Sequence, residues 1–434
     1  MYSRIKLFIL ILVGLISLPI EILAQLSWTP YSGNPVITPS FDPVSIEIFR
    51  PAVVYDGSIY RMWYGNKRQA NNLKLDYMGY ATSPDGISWT LVAPVVLAPS
   101  FDSNSFDQLE ASQGWVIVDG DTFKMWYWGF NSTFGQYGLN SIGYAWSTDG
   151  SNWTRVKGLG MYGSVYDPIM DGLPAGFGLA TPCVVKDGNQ YHLWYSRVDI
   201  VSYLFRIAYA TSPDGTRWTN VPGSGTAGAV LDWGKWGDFD EISVSWPAVI
   251  KTAQGFEMWY AGVDTTDKIS RLGHAISADG INWTRVRGNG TRGACFDAAH
   301  FTSVIMQGNL YQMWYGITSQ DVVHYATSLR TRVAESGEGK LLTTFVLEQN
   351  YPNPFNPETV IEYQLPRASE VEISIFNLQG QKVATLVREH RSAGSHKIIW
   401  NGMDKSGRPV ASGIYLYQLK TDNFMASKKM LLLY

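Results

Sequence analysis

Apolar and polar residues alternate with period two along most of the chain, in short runs broken by Asp-Gly and Pro-Asp-Gly. This pattern predicts β-strands joined by tight turns. The first group of four covers residues 51–55, 59–64, 78–83 and 87–90, with Asp56-Gly57 inside the first pair and Pro84-Asp85-Gly86 inside the last. Asp-Gly supplies the positive φ angles that a tight hairpin needs, so each group is an antiparallel meander. The plan returns at Asp119-Gly120 with Asp149-Gly150, at Asp187-Gly188 with Asp214-Gly215, at Asp279-Gly280, and at Gln307-Gly308.

A tryptophan phrase closes each group: ISWT at 87–90, SNWT at 151–154, TRWT at 216–219 and INWT at 281–284. A fifth copy, LSWT at 26–29, stands alone near the beginning, and VVHYATS at 322–328 has no such phrase after it. The two ends complete each other. A repeat of about 64 residues whose ends are complementary predicts an all-β, five-bladed β-propeller over residues 25–328, closed by an N-terminal strand. The second strand of each group carries MWY at Met62, Met125, Met258 and Met313, or LWY at Leu193. Large side chains at the same place in every blade are expected to fill the space between sheets.

Residues 329–344 turn polar and lose alternation, as a linker does. Alternation resumes over 345–434, punctuated by Pro and Gly, and predicts a small Ig-like β-sandwich. At the other end, Arg4 and Lys6 precede the apolar run 7–18, and Ala24 suits cleavage before Gln25, so residues 1–24 read as a secretory signal peptide too short to span a bilayer. No later stretch is apolar enough for a transmembrane anchor.

The whole chain has 34 basic and 37 acidic residues, net −3; loss of Arg4, Lys6 and Glu21 with the leader makes it −4. The basic residues are scattered, which argues against nucleic acid as a partner. Cys183 and Cys295 fall in non-adjacent blades and read as buried thiols, a disulfide being possible. The sequons at Asn152 and Asn282 lie inside the repeated NWT turn and read as fold chemistry, unlike those at Asn131 and Asn289, which lie outside it. Of 17 Trp, ten belong to the two repeated motifs; six of the others, Trp115, Trp128, Trp146, Trp233, Trp236 and Trp246, concentrate in blades two and four. Indoles the repeat does not require stack on sugar rings or pack longer loops; both readings stand for Trp233 and Trp236, and packing suits Trp146.

The tail resembles the type A C-terminal sorting domain of the bacterial type IX secretion system, itself similar to the Ig-like domain of flagellar hook-capping proteins. NYPNPFNP at 350–357, SIFNLQGQKV at 374–383, SGIYLYQL at 412–419 and the terminal KKMLLLY carry the likeness. The resemblance implies the type IX machinery as a partner and a secreted or surface-attached location in a Bacteroidota-like Gram-negative bacterium. The ring resembles the five-bladed propellers of the arabinanase, invertase and levansucrase superfamily of glycoside hydrolases, including families 32, 43, 62, 68 and 130, through FRPAVVYDGSIYRMWYG and YATSPDGISWT. It implies a polysaccharide or oligosaccharide partner.

In a propeller the first strand of each blade lines the axis, so residues at its start face the funnel. These are Glu47 and Arg50, Glu110 and Gln113, Gly178 and Thr181, Asp240, Glu241, Ser245 and Trp246, then Asp297 and His300. Glycoside cleavage needs two carboxyl groups, and Glu110 with Glu241 are the leading pair, Glu47 or Asp240 adjusting a neighbour; the same acids could instead tie down strand ends. Arg50, Gln113, Trp236, Trp246 and His300 are expected to line the sugar sites. Families 32, 43 and 68 place an Asp before the blade-one proline, and this chain has Arg50, which cannot act as a base. The family mechanism therefore does not transfer residue by residue, and a binding or scaffold propeller without turnover is the alternative. No cofactor is expected, although some relatives hold an axial calcium near a histidine, a place open to His300. HExxH, CxxC and EF-hand patterns are lacking.

Overall fold

The computed structural model describes residues 26–330 except 71, 72, 137, 298, 318 and 319, and residues 345–433 except 392, 393, 422 and 423. The expected signal peptide and most of the linker lie outside the described residues. The described residues fall into two compact units, one over 26–330 and the other over 345–433.

The first unit is a five-bladed β-propeller. A short β1 (Thr29–Pro30) precedes blade one, which holds β2 (Glu47–Tyr55), β3 (Tyr60–Ala70), β4 (Leu73–Ser83) and β5 (Thr90–Leu97). Blade two holds β6 (Glu110–Asp119), β7 (Thr122–Asn131), β8 (Leu139–Ser147) and β9 (Thr154–Val156). Blade three holds β10 (Phe177–Asp187), β11 (Gln190–Asp199), β12 (Leu204–Ser212) and β13 (Thr219–Asn220). Blade four holds β14 (Ser243–Thr252), β15 (Gly255–Val263), β16 (Arg271–Ser277) and β17 (Thr284–Val286). Blade five holds β18 (Ala299–Gln307), β19 (Leu310–Ile317) and β20 (Gln320–Leu329), and β1 supplies its outer strand. Thr29 pairs with Thr327 and Pro30 with Ala326, antiparallel, and Ile37 bridges Val323. The orphan tryptophan phrase thus closes the ring.

Five apolar clusters fill the five gaps between neighbouring blades. Trp63 and Tyr80 of blade one meet Phe123 and Met125 of blade two, and the series returns to the start where Trp314 and Tyr325 of blade five meet Met62 and Tyr64 of blade one. The MWY indoles also join blades by hydrogen bonds. Nε1 of Trp63, Trp126, Trp194 and Trp314 donates to the turn carbonyl of Gly150, Gly215, Gly280 and Gly86 in the following blade, at 2.7–2.8 Å. Glycine is needed there: Gly215 has φ +80°, and an added Cβ would lie 2.8 Å from the Trp126 ring. Trp259 is the exception. The blade after it is closed by β1, which brings no Asp-Gly turn, and its buried Nε1 has no partner among the described residues. Trp126→Phe is therefore expected to cost about 1–3 kcal/mol more than Trp259→Phe, since only the former strands a buried carbonyl. Urea unfolding of the two variants measures the difference, and equal losses would remove the hydrogen bond from the account.

Each inner strand is kinked near its start. The register with the second strand slips at Phe49/Ala52, Ser112/Trp115, Ala180/Cys183, Ser245/Ala248 and His300/Thr302. At each slip one residue has left-handed backbone: Arg50 (φ 53°), Gln113 (54°), Thr181 (51°), Trp246 (51°) and Phe301 (50°). Bulges re-aim side chains, and five at one level turn these residues into the mouth of the axis. None is glycine, so each carries steric strain of about 1–3 kcal/mol, the kind that persists at binding sites.

The second unit is a β-sandwich. One sheet runs β21 (Val346–Leu347), β22 (Thr359–Leu365), β25 (Gly394–Trp400); the other runs β24 (Lys382–Arg391), β23 (Ser369–Phe376), β26 (Gly413–Lys420), β27 (Met425–Leu432). Alternate residues of both sheets, including Ile361, Tyr363, Ile373, Ile375, Tyr417 and Leu419, enclose Phe355 and Trp400. Asn350 pins the NYPNPFNP segment, its N–H donating to Tyr417 Oη at 2.7 Å and its Nδ2 to Thr359 Oγ1 at 2.9 Å. No helix among the described residues is long and apolar enough to cross a membrane.

Candidate functional site

Three strands of blade one place a charged row at the mouth. Glu47 pairs across the sheet with Lys67, and Lys67 with Asp76, so the three side chains share one face. Lys67 Nζ lies 2.6 Å from Glu47 Oε2. Asp76 is buried; Ser112 Oγ of blade two donates to its Oδ2 at 3.5 Å, and its Oδ1 has no partner. Two residues before Ser112, and so on the same face of β6, stands Glu110. Burial first, and then the neighbouring Asp76 carboxylate, push the Glu110 carboxyl up to about 7, against the opposing pull of Arg50 and Lys67. Burial raises Asp76 as well, Arg50 and Lys67 again opposing.

Arg50 faces all three acids. Burial lowers its guanidinium to about 10 while Asp76, Glu110 and Glu47 hold it up, so it is a cation at neutral pH. Its Nε and Nη1 are buried without a hydrogen-bond partner. It rests on Phe301 at 4.6 Å and Phe49 at 5.1 Å from the ring centroids. Phe301 in turn meets His300 at 3.8 Å and Trp246 edge-on at 4.6 Å. Burial and the charge of Arg50 depress the His300 imidazole to about 3, leaving it neutral. The cavity that Arg50, Trp246 and Phe301 line together with Gln113, Thr181 and Trp115 is narrow, about 40 Å³. Trp115 packs against three of the inter-blade clusters and so stands on the axis.

The acids of blade four are used differently. Asp240, expected among the catalytic acids, belongs to a repeated brace: its Oδ2 accepts from Tyr260 Oη at 2.9 Å and Arg285 Nε at 2.8 Å, as Asp107 does from Tyr127 and Arg155 at 3.0 and 2.9 Å. Glu241 accepts from Gly237 N at 2.6 Å and Thr265 N at 2.9 Å, and the Thr265 hydroxyl also donates to it; these bonds pull it down to about 2. Glu241 therefore ties two loops together, while Glu110 interacts with Asp76, Arg50 and Lys67. Neither glutamate is among the groups that shift the other. Trp236 is 85% exposed, on a loop beside Trp233, whose ring stacks under Arg206 at 3.9 Å.

Phe301, and not His300, occupies the position of Arg50: Ala52 pairs with Trp63 and Ser303 with Trp314, and Arg50 and Phe301 each stand two residues before that pair, a frame that FRPAVVYDG laid on HFTSVIMQG already gives. Asp76 and Lys67 escaped sequence reasoning because they lie on the second and third strands; counting the β3–β4 hairpin outward would have aligned them. Among the described residues no group of three His, Cys, Asp or Glu side chains is arranged to hold a metal. His300, beside a cationic guanidinium, does not suit calcium.

Residues 356–423 match the FlgD Ig-like domain family. An uncharacterized protein of Mycobacterium tuberculosis (strain CDC 1551 / Oshkosh) is 24% identical over 243 residues, 53% of this chain and 73% of the relative. Among solved structures, a β-1,2-mannobiose phosphorylase from Listeria innocua in complex with β-1,2-mannobiose superposes with TM-score 0.53 at 16% identity, over 70% of this chain and 96% of that one. A structure from the GH130 family of mannoside phosphorylases, described as containing glycoside hydrolases that target β-1,2 mannosidic linkages in Candida mannan, gives 0.52 at 17%, over 72% and 98%. A glycosyl hydrolase from Bacteroides ovatus gives 0.52 at 16%, over 70% and 94%. At these identities the likeness is one of fold: the ring has a glycoside hydrolase-like architecture.

Proposed function

We propose that the ring is an exported, carbohydrate-active propeller that cleaves a glycosidic bond of an extracellular saccharide at the mouth of its axis. One observation carries the reading: Glu110 holds its proton to about 7 beside a second carboxyl group, at the rim of a ligand funnel. In hydrolysis the Glu110 proton passes to the leaving oxygen as the glycosidic C–O bond breaks. Glu47 then serves as the second carboxylate, accepting a proton from the attacking water or attacking the anomeric carbon itself. The unpaired donors of Arg50 suit a sugar hydroxyl or ring substituent, and Trp246 and Phe301 offer apolar faces. The neighbours' saccharide chemistry supports this direction.

The narrow axis favours a second reading, recognition without turnover. With Arg50, Trp115, Trp246 and Phe301 lining a space of only about 40 Å³, a sugar ring sits above the mouth and not within it. A screen of the purified protein against mannans, arabinans, fructans and pectins, recording both binding and reducing-end release, decides. Release supports hydrolysis; binding without release leaves a glycan-binding propeller; neither would remove the carbohydrate reading. We further propose that the sandwich is a type IX sorting domain, on the strength of its terminal KKMLLLY and NYPNPFNP motifs. Deleting residues 345–434 is then expected to leave the ring inside a type IX-competent host.

A further inference from the structure

Trp246 forms a wall between two cavities. One is the axial mouth; the other is a cleft of about 280 Å³ between blades three and four, whose lining includes Tyr203, Phe205, Ser243 and Lys268. The turn joining β11 to β12, the turn joining β15 to β16 and the start of β14 supply these residues, so the cleft opens at the same end of the ring as Glu110. Tyr203 is 71% exposed. Its backbone and that of Lys268 have φ of +55° and +58°, and with Trp246 that makes three strained non-glycine residues in one cleft. Phe205 is positioned against Trp246, centroids 5.9 Å apart, and its N–H donates to Ser243 Oγ at 3.2 Å. The nearby Asp264 and Asp267 are held by Arg271 and Arg292, so Lys268 stands beside acids already engaged.

We infer that this cleft is a second sugar subsite, so that the substrate is an oligosaccharide chain lying across the mouth from the Glu47–Asp76–Glu110 side to Tyr203. The inference rests on the saccharide reading above and adds a minimum chain length to it. An exposed Tyr beside a Phe–Trp pair presents ring faces to sugar C–H groups, and the Ser hydroxyls and the Lys268 ammonium present hydrogen-bonding groups. Because Trp246 borders both the cleft and the mouth, a chain passing over it reaches both, which selects a chain over a separate small ligand.

The test uses the full-length protein and mannan, arabinan and polygalacturonan oligosaccharides from disaccharide to hexasaccharide, titrated calorimetrically. Affinity is expected to rise about tenfold when the chain becomes long enough to pass Trp246. Tyr203→Ala removes that rise and leaves disaccharide binding unchanged, Tyr203→Phe restores it, and Lys268→Met weakens the long chains alone. Length dependence identical in wild type and Tyr203→Ala overturns the subsite and leaves the saccharide reading standing. Failure of the unaltered protein to bind any chain overturns both.

Discussion

Replacing Glu110 by Gln is expected to reduce saccharide cleavage by about 10²–10⁴-fold while leaving affinity within about twofold, since the amide keeps the shape and loses the transferable proton. The wild-type rate should fall as pH rises through about 7, where Glu110 ionises. Asp76→Asn removes one of the two causes of that elevation and is expected to move this alkaline limb to lower pH. Burial, the larger cause, stays, so the return to the ordinary carboxylic range is partial. Stability provides a second readout. The folded carboxyl titrates at about 7 against 4.5 when unfolded, so the folded state holds the extra proton in between. The stabilisation is complete below the unfolded value and is lost as pH rises through the folded one. The melting temperature of the wild type should therefore decline from pH 4.5 to 7 more steeply than that of Glu110→Gln. Unchanged cleavage in the Gln variant would remove Glu110 from the chemistry, whatever the melting curves show.

Asp171→Ala is expected to destabilise the ring by about 3–5 kcal/mol, because it leaves a buried guanidinium without its counter-charge. Arg197 Nε donates to Asp171 Oδ2 at 2.6 Å and Nη2 to Oδ1 at 2.7 Å, with the side chains 5% and 0% exposed. Tyr166 Oη donates to the same carboxylate at 2.8 Å, and the Tyr195 hydroxyl also donates to it. Lys251 and Asp187 are as close, at 2.6 Å, but 40% and 43% exposed, and Asp187→Ala is expected to cost under about 1 kcal/mol. Chemical unfolding of both variants tests the contrast. Similar losses would mean that burial does not set the worth of these pairs, and the braces around Asp42, Asp107 and Asp240 would need the same revision.

The repeated brace explains part of what sequence reading missed. Asp42, Asp107, Asp171 and Asp240 each approach the tyrosine of the second-strand motif and an arginine. The arginines come from different strands: Arg68 from β3, Arg197 from β11, and Arg155 and Arg285 from the outer strands. Their distance from the aspartates is 26 residues for the two second-strand arginines and 48 and 45 for the two outer-strand ones, so no single linear motif marks all four. Asp240 stands beside Glu241 in the chain and has an acid's composition, but its carboxylate is occupied by Tyr260 and Arg285.

Strand period, Asp-Gly turns and the unmatched tryptophan phrase were enough, in linear order, to specify five blades, their closure by Thr29 and Pro30 against β20, and a separate sandwich. The strands and turns follow from backbone chemistry acting between residues close in the chain and repeated in each blade; the closure, which pairs Thr29 with Thr327, was legible because the phrase missing at one end of the ring stands alone at the other. Which carboxyl group keeps its proton was decided only by the tertiary structure. Glu110 is the first residue of β6, whereas Glu241 precedes β14, whose first residue is Ser243. One is desolvated beside Asp76 from the neighbouring blade, and the other receives N–H donors from Gly237 and Thr265. Desolvation and hydrogen bonding depend on what is packed against a group, and for these two glutamates that is set by bulges and loops in which the blades differ.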